Sequence, residues 1–152
     1  SDLEGIDATI KLLYNQSKYH HIAIQKDYSA DVPDILCYPG PMNQVFMNIL
    51  HNAIQAIDEK GEVRITTALQ ANNPKNVVVS VRDTGRGMNA ETLEHVFDAG
   101  FTTKKDGMGI GLAISKDIIE LKHKGSISAK SEPGVGTEFT VVLPVDGPQS
   151  VR

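Results

Sequence analysis

Two glycine clusters flank a short polar segment in the second half of the chain. Gly85 and Gly87 follow Asp83 in the sequence DTGRGM, and the second cluster lies in GMGIGL at residues 107 to 112. Glycine at this density weakens regular secondary structure, because it loses more backbone entropy on ordering than other residues do. Close approach of backbone N–H groups to an anion, which a Cβ atom would obstruct, offsets this loss. Each cluster is a weak signal alone, and together they predict an anion-binding site.

A pair of asparagines supplies a second polar feature. Asn48 and Asn52 fall within the strongest helical pattern of the sequence, which predicts a helix from 42 to 57. Residues four apart lie one above the other on a helix, so both amides lie just outside one edge of the apolar stripe. Asparagine is unfavourable inside a helix because its amide competes for backbone hydrogen bonds. A shared polar partner and two solvated amides explain the pair equally well.

The composition is typical of a soluble globular domain. The 152 residues fit one domain, with 40% hydrophobic and 22% charged residues and no apolar run long enough to span a membrane. A formal net charge of -4 disfavours a general nucleic-acid binder. The single cysteine, Cys37, excludes an internal disulfide and a multi-cysteine zinc site. We therefore predict a reducing, cytoplasmic location, with Cys37 as a small core residue.

The order of predicted elements indicates an α+β fold, a two-layer sandwich in which a mixed, mostly antiparallel sheet carries helices on one face. Helices are predicted at 2–14, 42–57, 89–97 (with Asn89 as N-cap) and 109–122, and strands at 20–29, 62–69, 77–81, 126–130 and 137–143. A five-residue turn at 71–75 is predicted between the second and third strands. The last helix is predicted to bury Ile110, Ala113, Ile114, Ile118 and Leu121, and His123 is predicted to be a charge at its C-terminus.

In their order and spacing these features resemble the ATP-binding domain shared by bacterial sensor histidine kinases, gyrase-type topoisomerases, Hsp90-type chaperones and mismatch-repair ATPases. Five segments carry a narrower resemblance to histidine kinases. NQVFMNILHNAIQAI is similar to the N box, DTGRGM to the first glycine box, VFDAGFTTK to the phenylalanine box, GMGIGL to the second glycine box and GTEFTVVLP to the closing segment. The match covers residues 35 to 144, and five segments in order make it highly specific. It implies the Bergerat ATP-binding fold.

The resemblance also implies ATP and Mg²⁺ as cofactors and assigns roles to residues. Asp83 would accept a hydrogen bond from the adenine amino group, Asn52 would bind the metal ion beside Asn48, and Lys104 would reach the γ-phosphate from a lid at 99–108. The second glycine box would present N–H groups at a helix N-terminus to the triphosphate. The implied catalytic residues are Asn48 and Lys104, and the implied nucleotide contacts are Asn48, Asn52, Asp83, Gly85, Gly87, Met88, Thr102, Thr103, Lys104, Gly107, Gly109, Ile110, Gly111, Leu112 and Thr137.

Position 48 separates phosphoryl transfer from hydrolysis. Hydrolysing members of the superfamily carry glutamate four residues before the metal-binding asparagine, as general base for water. Here that residue is Asn48, whose amide cannot take the proton, so the resemblance favours transfer to a histidine. None of the five histidines, at 20, 21, 51, 95 and 123, is followed by the acidic residue and proline of the family's acceptor segment. The acceptor is therefore expected on a separate dimerisation domain, which would pass the phosphate to a response regulator.

The resemblance implies three parts: a helix from an upstream dimerisation domain at 1–15, the catalytic domain at 16–145 and a disordered tail at 146–152. The isolated domain is expected to be a monomer, and the full-length protein a homodimer that is cytoplasmic or anchored in the inner membrane. Two alternatives stay open: an ATP-hydrolysing switch, which Asn48 disfavours, and a non-catalytic nucleotide-binding regulator. A dinucleotide-dependent oxidoreductase is excluded because the second glycine box follows a lysine-rich loop instead of a strand.

Overall fold

A computed structural model describes residues 5–11, 21–99 and 108–147. Five strands form one sheet in the order β1-β2-β3-β5-β4. Only β1 and β2 pair in parallel among these strands, and the other neighbours are antiparallel. The helices are α1 (5–11), α2 (Pro39–Gln55), α3 (Ala90–Glu94) and α4 (Met108–Asp117), which a π-helical turn (Ile118–Lys122) continues; the strands are β1 (Ile22–Tyr28), β2 (Gly61–Gln70), β3 (Asn73–Asp83), β4 (Ser126–Glu132) and β5 (Gly136–Pro144). The predicted α+β fold is confirmed.

One face of the sheet and one side of α2 form the hydrophobic core. On β2 the side chains of Val63, Ile65 and Thr67 are buried, whereas Arg64 between them is exposed. This alternation follows from the two-residue repeat of a strand. Helix α2 faces them with residues such as Phe46 and Ile49, which are at most 1% exposed. Each such large apolar side chain contributes about 1.5–3 kcal/mol through burial, so this interface fixes the direction of α2.

Helix α2 begins earlier than the sequence predicted. Pro39 is its first residue, three positions before the predicted start at 42. Proline is favoured in the first helical turn because the N–H it lacks has no intrahelical partner there. Helix α2 also ends at Gln55, two residues before its predicted end, and helix α3 ends at Glu94, before its predicted end at 97. The predicted N-cap of α3 is confirmed, because the Asn89 side chain accepts the Thr92 N–H at 2.8 Å.

The turn between β2 and β3 is shorter than predicted. It consists of Ala71 and Asn72 alone, and β3 already begins at Asn73, opposite Gln70. The next pair in the ladder is Leu69 with Val77, so residues 74–76 form an irregularity in β3. The polar and proline residues that predicted a five-residue turn lie in this bulged part of the strand, where such residues are tolerated.

The buried side of α4 is not the side that the sequence predicted. Leu112, Ser115 and Ile119 are at most 2% exposed, whereas Ile114 and Leu121, two of the predicted core residues, are 47% and 70% exposed. The helix carries apolar residues on two sides, and helical periodicity cannot distinguish a buried stripe from an exposed one. Packing of α4 against α2 makes this choice.

His123, directly after the π-helical turn, is a buried structural residue and not the predicted charge at a helix end. It is 1% exposed. Its Nε2 accepts the backbone N–H of Tyr38 at 2.9 Å, and its Nδ1 contacts the carbonyl oxygen of Ile118 at 2.8 Å. Because Nε2 accepts and Nδ1 faces an acceptor, the imidazole is neutral and protonated at Nδ1. The ring therefore joins the end of the α4 region to the residue before α2.

Candidate functional site

Asp83 ends β3 inside the protein. Its side chain is 3% exposed, and its Oδ1 accepts the backbone N–H of Gly85 at 2.8 Å. A buried carboxylate needs hydrogen bonds to offset the loss of water. A carboxylate offers about four acceptor positions, so Asp83 can hold its own loop and accept a hydrogen bond from a ligand at the same time.

Two glycines allow three backbone segments to meet around Asp83. Gly136 has φ +148°, and a Cβ atom there would lie 2.0 Å from the carbonyl oxygen of Asp83. Gly87 has φ +71°, and a Cβ atom there would lie 2.1 Å from the carbonyl oxygen of Glu132. Both positions combine a backbone conformation that favours glycine with no room for a side chain. These glycines hold the loop after β3 against the β4–β5 hairpin.

A hydroxyl group on β4 ties this loop to the sheet. Ser131 Oγ accepts the backbone N–H of Met88 at 2.7 Å and lies 2.8 Å from Thr137 Oγ1. Thr137 is 6% exposed and pairs with Asp83 across β3 and β5. The structure therefore places Asp83, Met88 and Thr137 next to one another where β3, β4 and β5 meet the loop after β3. Sequence reasoning missed Ser131, since a lone serine in a strand carries no signal that separates it from a solvated residue.

The asparagine pair has a polar partner on one side. Asn48 is 9% exposed, and its Nδ2 donates to Ser115 Oγ on α4 at 3.3 Å. Asn52 lies one turn further along α2 and is half-buried. Asn48 is therefore not a fully solvated amide, and a polar partner that Asn48 and Asn52 share stays a prediction. The sequence contained no signal for Ser115, because the predicted core face of α4 was a different one.

Several predicted site residues lie outside the described part of the chain. These are Thr102, Thr103, Lys104 and Gly107. Gly109, Ile110 and Gly111 belong to the start of α4. Leu112 is 2% exposed in the hydrophobic core, and its contact with a ligand stays a prediction.

An open cleft of about 510 Å³ adjoins the Asp83 loop. Residues 56–60 after α2 form one rim, and Thr84 to Arg86 form another, with Gly134 at the edge. On one side of the cleft, Arg86 Nη1 donates hydrogen bonds to the Ala56 carbonyl oxygen and to Asp58 Oδ1, both at 3.2 Å. The loop after β3 is thus held from the α2 side as well as from the β4–β5 hairpin.

The described ranges contain no cluster of three or more His, Cys, Asp and Glu side chains that could hold a metal ion. Within the same ranges, no helix is long and apolar enough to cross a membrane.

His95 and Asp98 form an exposed ion pair directly after α3. His95 Nδ1 lies 2.7 Å from Asp98 Oδ2, and this hydrogen bond raises the pKa of His95 from its ordinary value of 6.5. Because the pKa is raised in the folded state, the stabilisation is complete below the ordinary value and is lost as the pH rises through the raised value.

We expect an NMR titration of His95 to show this raised pKa, and the variant Asp98→Asn to return it toward 6.5. The carboxylate favours the charged imidazole, whereas an amide does not. Asp117→Asn, at an exposed position on α4, serves as the control and should leave the titration unchanged. An unaltered His95 pKa in Asp98→Asn would contradict the assigned cause.

Comparison with known proteins identifies the family. Residues 38–147 match the family described as histidine kinase-, DNA gyrase B- and HSP90-like ATPase. The chain belongs to this family, which implies nucleotide binding. Sporulation kinase E of Bacillus subtilis is 39% identical over 90% of this chain and 18% of its own length, and the sensor histidine kinase ZraS of Klebsiella oxytoca is 45% identical over 73% of this chain and 23% of its own length. The chain thus spans about a fifth of the length of these relatives.

Solved structures give the same assignment. The catalytic domain of histidine kinase ThkA superposes with a TM-score of 0.82 at 29% identity, covering 94% of this chain and 93% of that domain. ThkA in complex with response regulator protein TrrA superposes with a TM-score of 0.80 at 26% identity, covering 98% of this chain and 41% of that kinase. The chain is a catalytic ATP-binding domain of the sensor histidine kinase type, as the five sequence segments predicted.

Proposed function

We propose that this domain binds Mg-ATP and transfers the γ-phosphate to a histidine on a separate dimerisation domain of the full-length protein, from which a response regulator receives it. The observation that carries this proposal is the residue at position 48. A buried amide stands where a hydrolytic relative would have a carboxylate base, and an amide cannot activate water. Catalysis by this domain is then positioning and charge neutralisation, the main contributions in phosphoryl transfer.

We infer that Asp83 selects the base of the nucleotide. Its burial at the end of β3 and its bond to Gly85 support this role, because they hold a charged acceptor in a fixed place out of water. A ligand amino group that donates to such an acceptor forms a charge-assisted hydrogen bond. Met88 and Thr137, which Ser131 joins, are proposed to contact the same ligand.

We further infer that Asn52 binds Mg²⁺ through its amide oxygen and that Asn48 assists beside it. Bound Mg²⁺ would neutralise negative charge on the phosphates. The two side chains fit such an ion, since amide oxygens are hard ligands and Mg²⁺ takes few ligands from the protein. The start of α4 is proposed to receive the phosphates at its N–H groups, with Lys104, Thr102 and Thr103 as further contacts.

The proposed arrangement of the full-length protein follows from these roles. Residues 1–15 would lead from the dimerisation domain, 16–145 would form the catalytic domain and 146–152 a tail. The full-length protein would be a homodimer, with this domain in the cytoplasm. The ThkA–TrrA complex supports a response regulator as partner, because that kinase is a solved relative of this chain.

A radiolabel experiment tests the transfer. We expect the chain alone with γ-labelled ATP to take up no label and release no phosphate, because it lacks both an acceptor segment and a base at position 48. Adding the upstream dimerisation domain should produce labelled acceptor domain, whereas the same domain with its acceptor histidine replaced by glutamine should stay unlabelled.

Three outcomes would contradict the proposal in different ways. Label on the chain itself would place the acceptor here. Phosphate release without an acceptor would indicate a hydrolysing switch. ATP binding without any transfer to the intact acceptor domain would indicate a nucleotide-binding regulator.

A further inference from the structure

We propose that Ser115 is a positioning residue for the nucleotide site, which holds the Asn48 amide in one orientation and thereby supports the metal-dependent part of ATP binding. This inference rests on the proposed function, because it assumes that Asn48 assists Asn52 at the metal ion. It adds a residue on α4 to a metal site whose other side chains come from α2.

The hydroxyl of Ser115 lies in an apolar environment, where a hydrocarbon side chain is usual. Ser115 is 0% exposed, and its neighbours on the buried side of α4 and the π-helical turn, Leu112 and Ile119, are 2% and 0% exposed. Burying a hydroxyl among apolar side chains is unfavourable unless it is hydrogen-bonded. The Asn48 amide satisfies this requirement from the facing helix, at 3.3 Å between Nδ2 and Oγ. The contact joins residues 67 positions apart in the chain.

The direction of this hydrogen bond determines what the amide offers to a ligand. The amide group is planar, and its nitrogen and oxygen point to opposite sides of the Cβ–Cγ axis. Since Nδ2 donates to Ser115, Oδ1 lies on the other side of the amide group. Oxygen is the atom that Mg²⁺ binds, so the serine favours the orientation in which Asn48 can act on the metal ion or its water ligands. Removing the hydroxyl weakens this preference.

Ser115 also links the two halves of the proposed site. It lies on α4, which begins in the second glycine box, whereas Asn48 and Asn52 lie on α2. A hydrogen bond between the helices keeps the proposed phosphate-binding N–H groups and the metal-binding amides in one relative position. Positioning of this kind matters most when phosphate and metal ion bind together.

The experiment compares ATP affinity with Mg²⁺ and with EDTA in the full chain and in variants at position 115. Ser115→Ala removes the hydroxyl, Ser115→Cys keeps the volume but supplies only a weak acceptor, and Ser115→Thr retains the hydroxyl. We expect the alanine and cysteine variants to bind ATP about 3- to 10-fold more weakly with Mg²⁺, as for the loss of one hydrogen bond. Their affinity in EDTA should be unchanged, and the threonine variant should retain the Mg²⁺-dependent gain.

A matched control is Ser128→Ala on the exposed face of β4, which should alter neither affinity. Thermal unfolding of every variant separates a loss of fold from a loss of positioning. Equal weakening with Mg²⁺ and with EDTA, or a wild-type Mg²⁺ effect in both Ser115→Ala and Ser115→Cys, would overturn the inference. Wild-type protein that binds ATP equally with and without Mg²⁺ would instead remove the proposed metal role of the asparagines, and the inference with it.

Discussion

The variant Asp83→Asn is expected to bind ATP at least about 100-fold more weakly than the wild-type chain. Loss of a hydrogen bond to a charged group costs about 1.5–3 kcal/mol, and an unsatisfied buried donor adds about 1–3 kcal/mol. Asparagine can still accept the Gly85 N–H through its oxygen, the contact that the aspartate makes at 2.8 Å. Its amide nitrogen then meets the ligand amino group, so two donors face each other.

Calorimetric titration with ATP measures this effect, and thermal unfolding checks that the variant is folded. Asp117→Asn is the control, since it makes the same chemical change at an exposed position on α4 and should bind normally. Wild-type affinity in Asp83→Asn would refute the role of Asp83 in base recognition while leaving the transfer chemistry untested by this variant.

The variant Gly136→Ala is expected to lower the free energy of unfolding by about 2–4 kcal/mol. A non-glycine residue in a sparsely populated backbone conformation costs about 1–3 kcal/mol, and Gly136 has φ +148°. The added Cβ would also lie 2.0 Å from the Asp83 carbonyl oxygen, so the backbone must move. That movement separates β5 from the Asp83 loop, and ATP binding should weaken together with stability.

Gly40→Ala provides the matched control for Gly136→Ala. Gly40 lies in the first turn of α2, and no atom lies within 4 Å of the position of its added Cβ. Alanine favours the helix over glycine by up to about 1 kcal/mol, so this variant should be as stable as the wild type or slightly more stable. Urea unfolding of both variants measures the difference. Equal stabilities of the two would show that the contact at Gly136 is relieved without cost.

Local sequence patterns were sufficient for most elements and for the family. On α2 apolar residues recur about every 3.6 residues, and on β2 they alternate with polar ones. These repeats show which side of each element is buried, because buried positions are apolar. Asp83, Met88 and Thr137 were predicted as ligand contacts because they lie in segments whose order along the chain marks the family, and these contacts stay predictions. The structure pairs Asp83 with Thr137 across β3 and β5, and Ser131 on β4 connects Met88 to Thr137.

Tertiary contacts decided the features in which residue type was ambiguous. Three polar residues form hydrogen bonds with partners at least 43 positions away in the chain: Ser115, Ser131 and His123. The last two also make local contacts. A residue's own neighbours in sequence carry no information about such a partner. The buried side of α4 was ambiguous for a related reason, because apolar residues occur on both sides of the helix and contact with α2 selects one.

The sequence by itself therefore determined the fold class, the family and the order of the site segments, each of which depends on local periodicity or on glycine and asparagine at fixed spacing. The tertiary structure alone decided that Asn48 is held by a serine from α4 and that His123 is a neutral link between helices. Hydrogen bonds between distant segments depend on relative position and direction, and only the packed chain defines these.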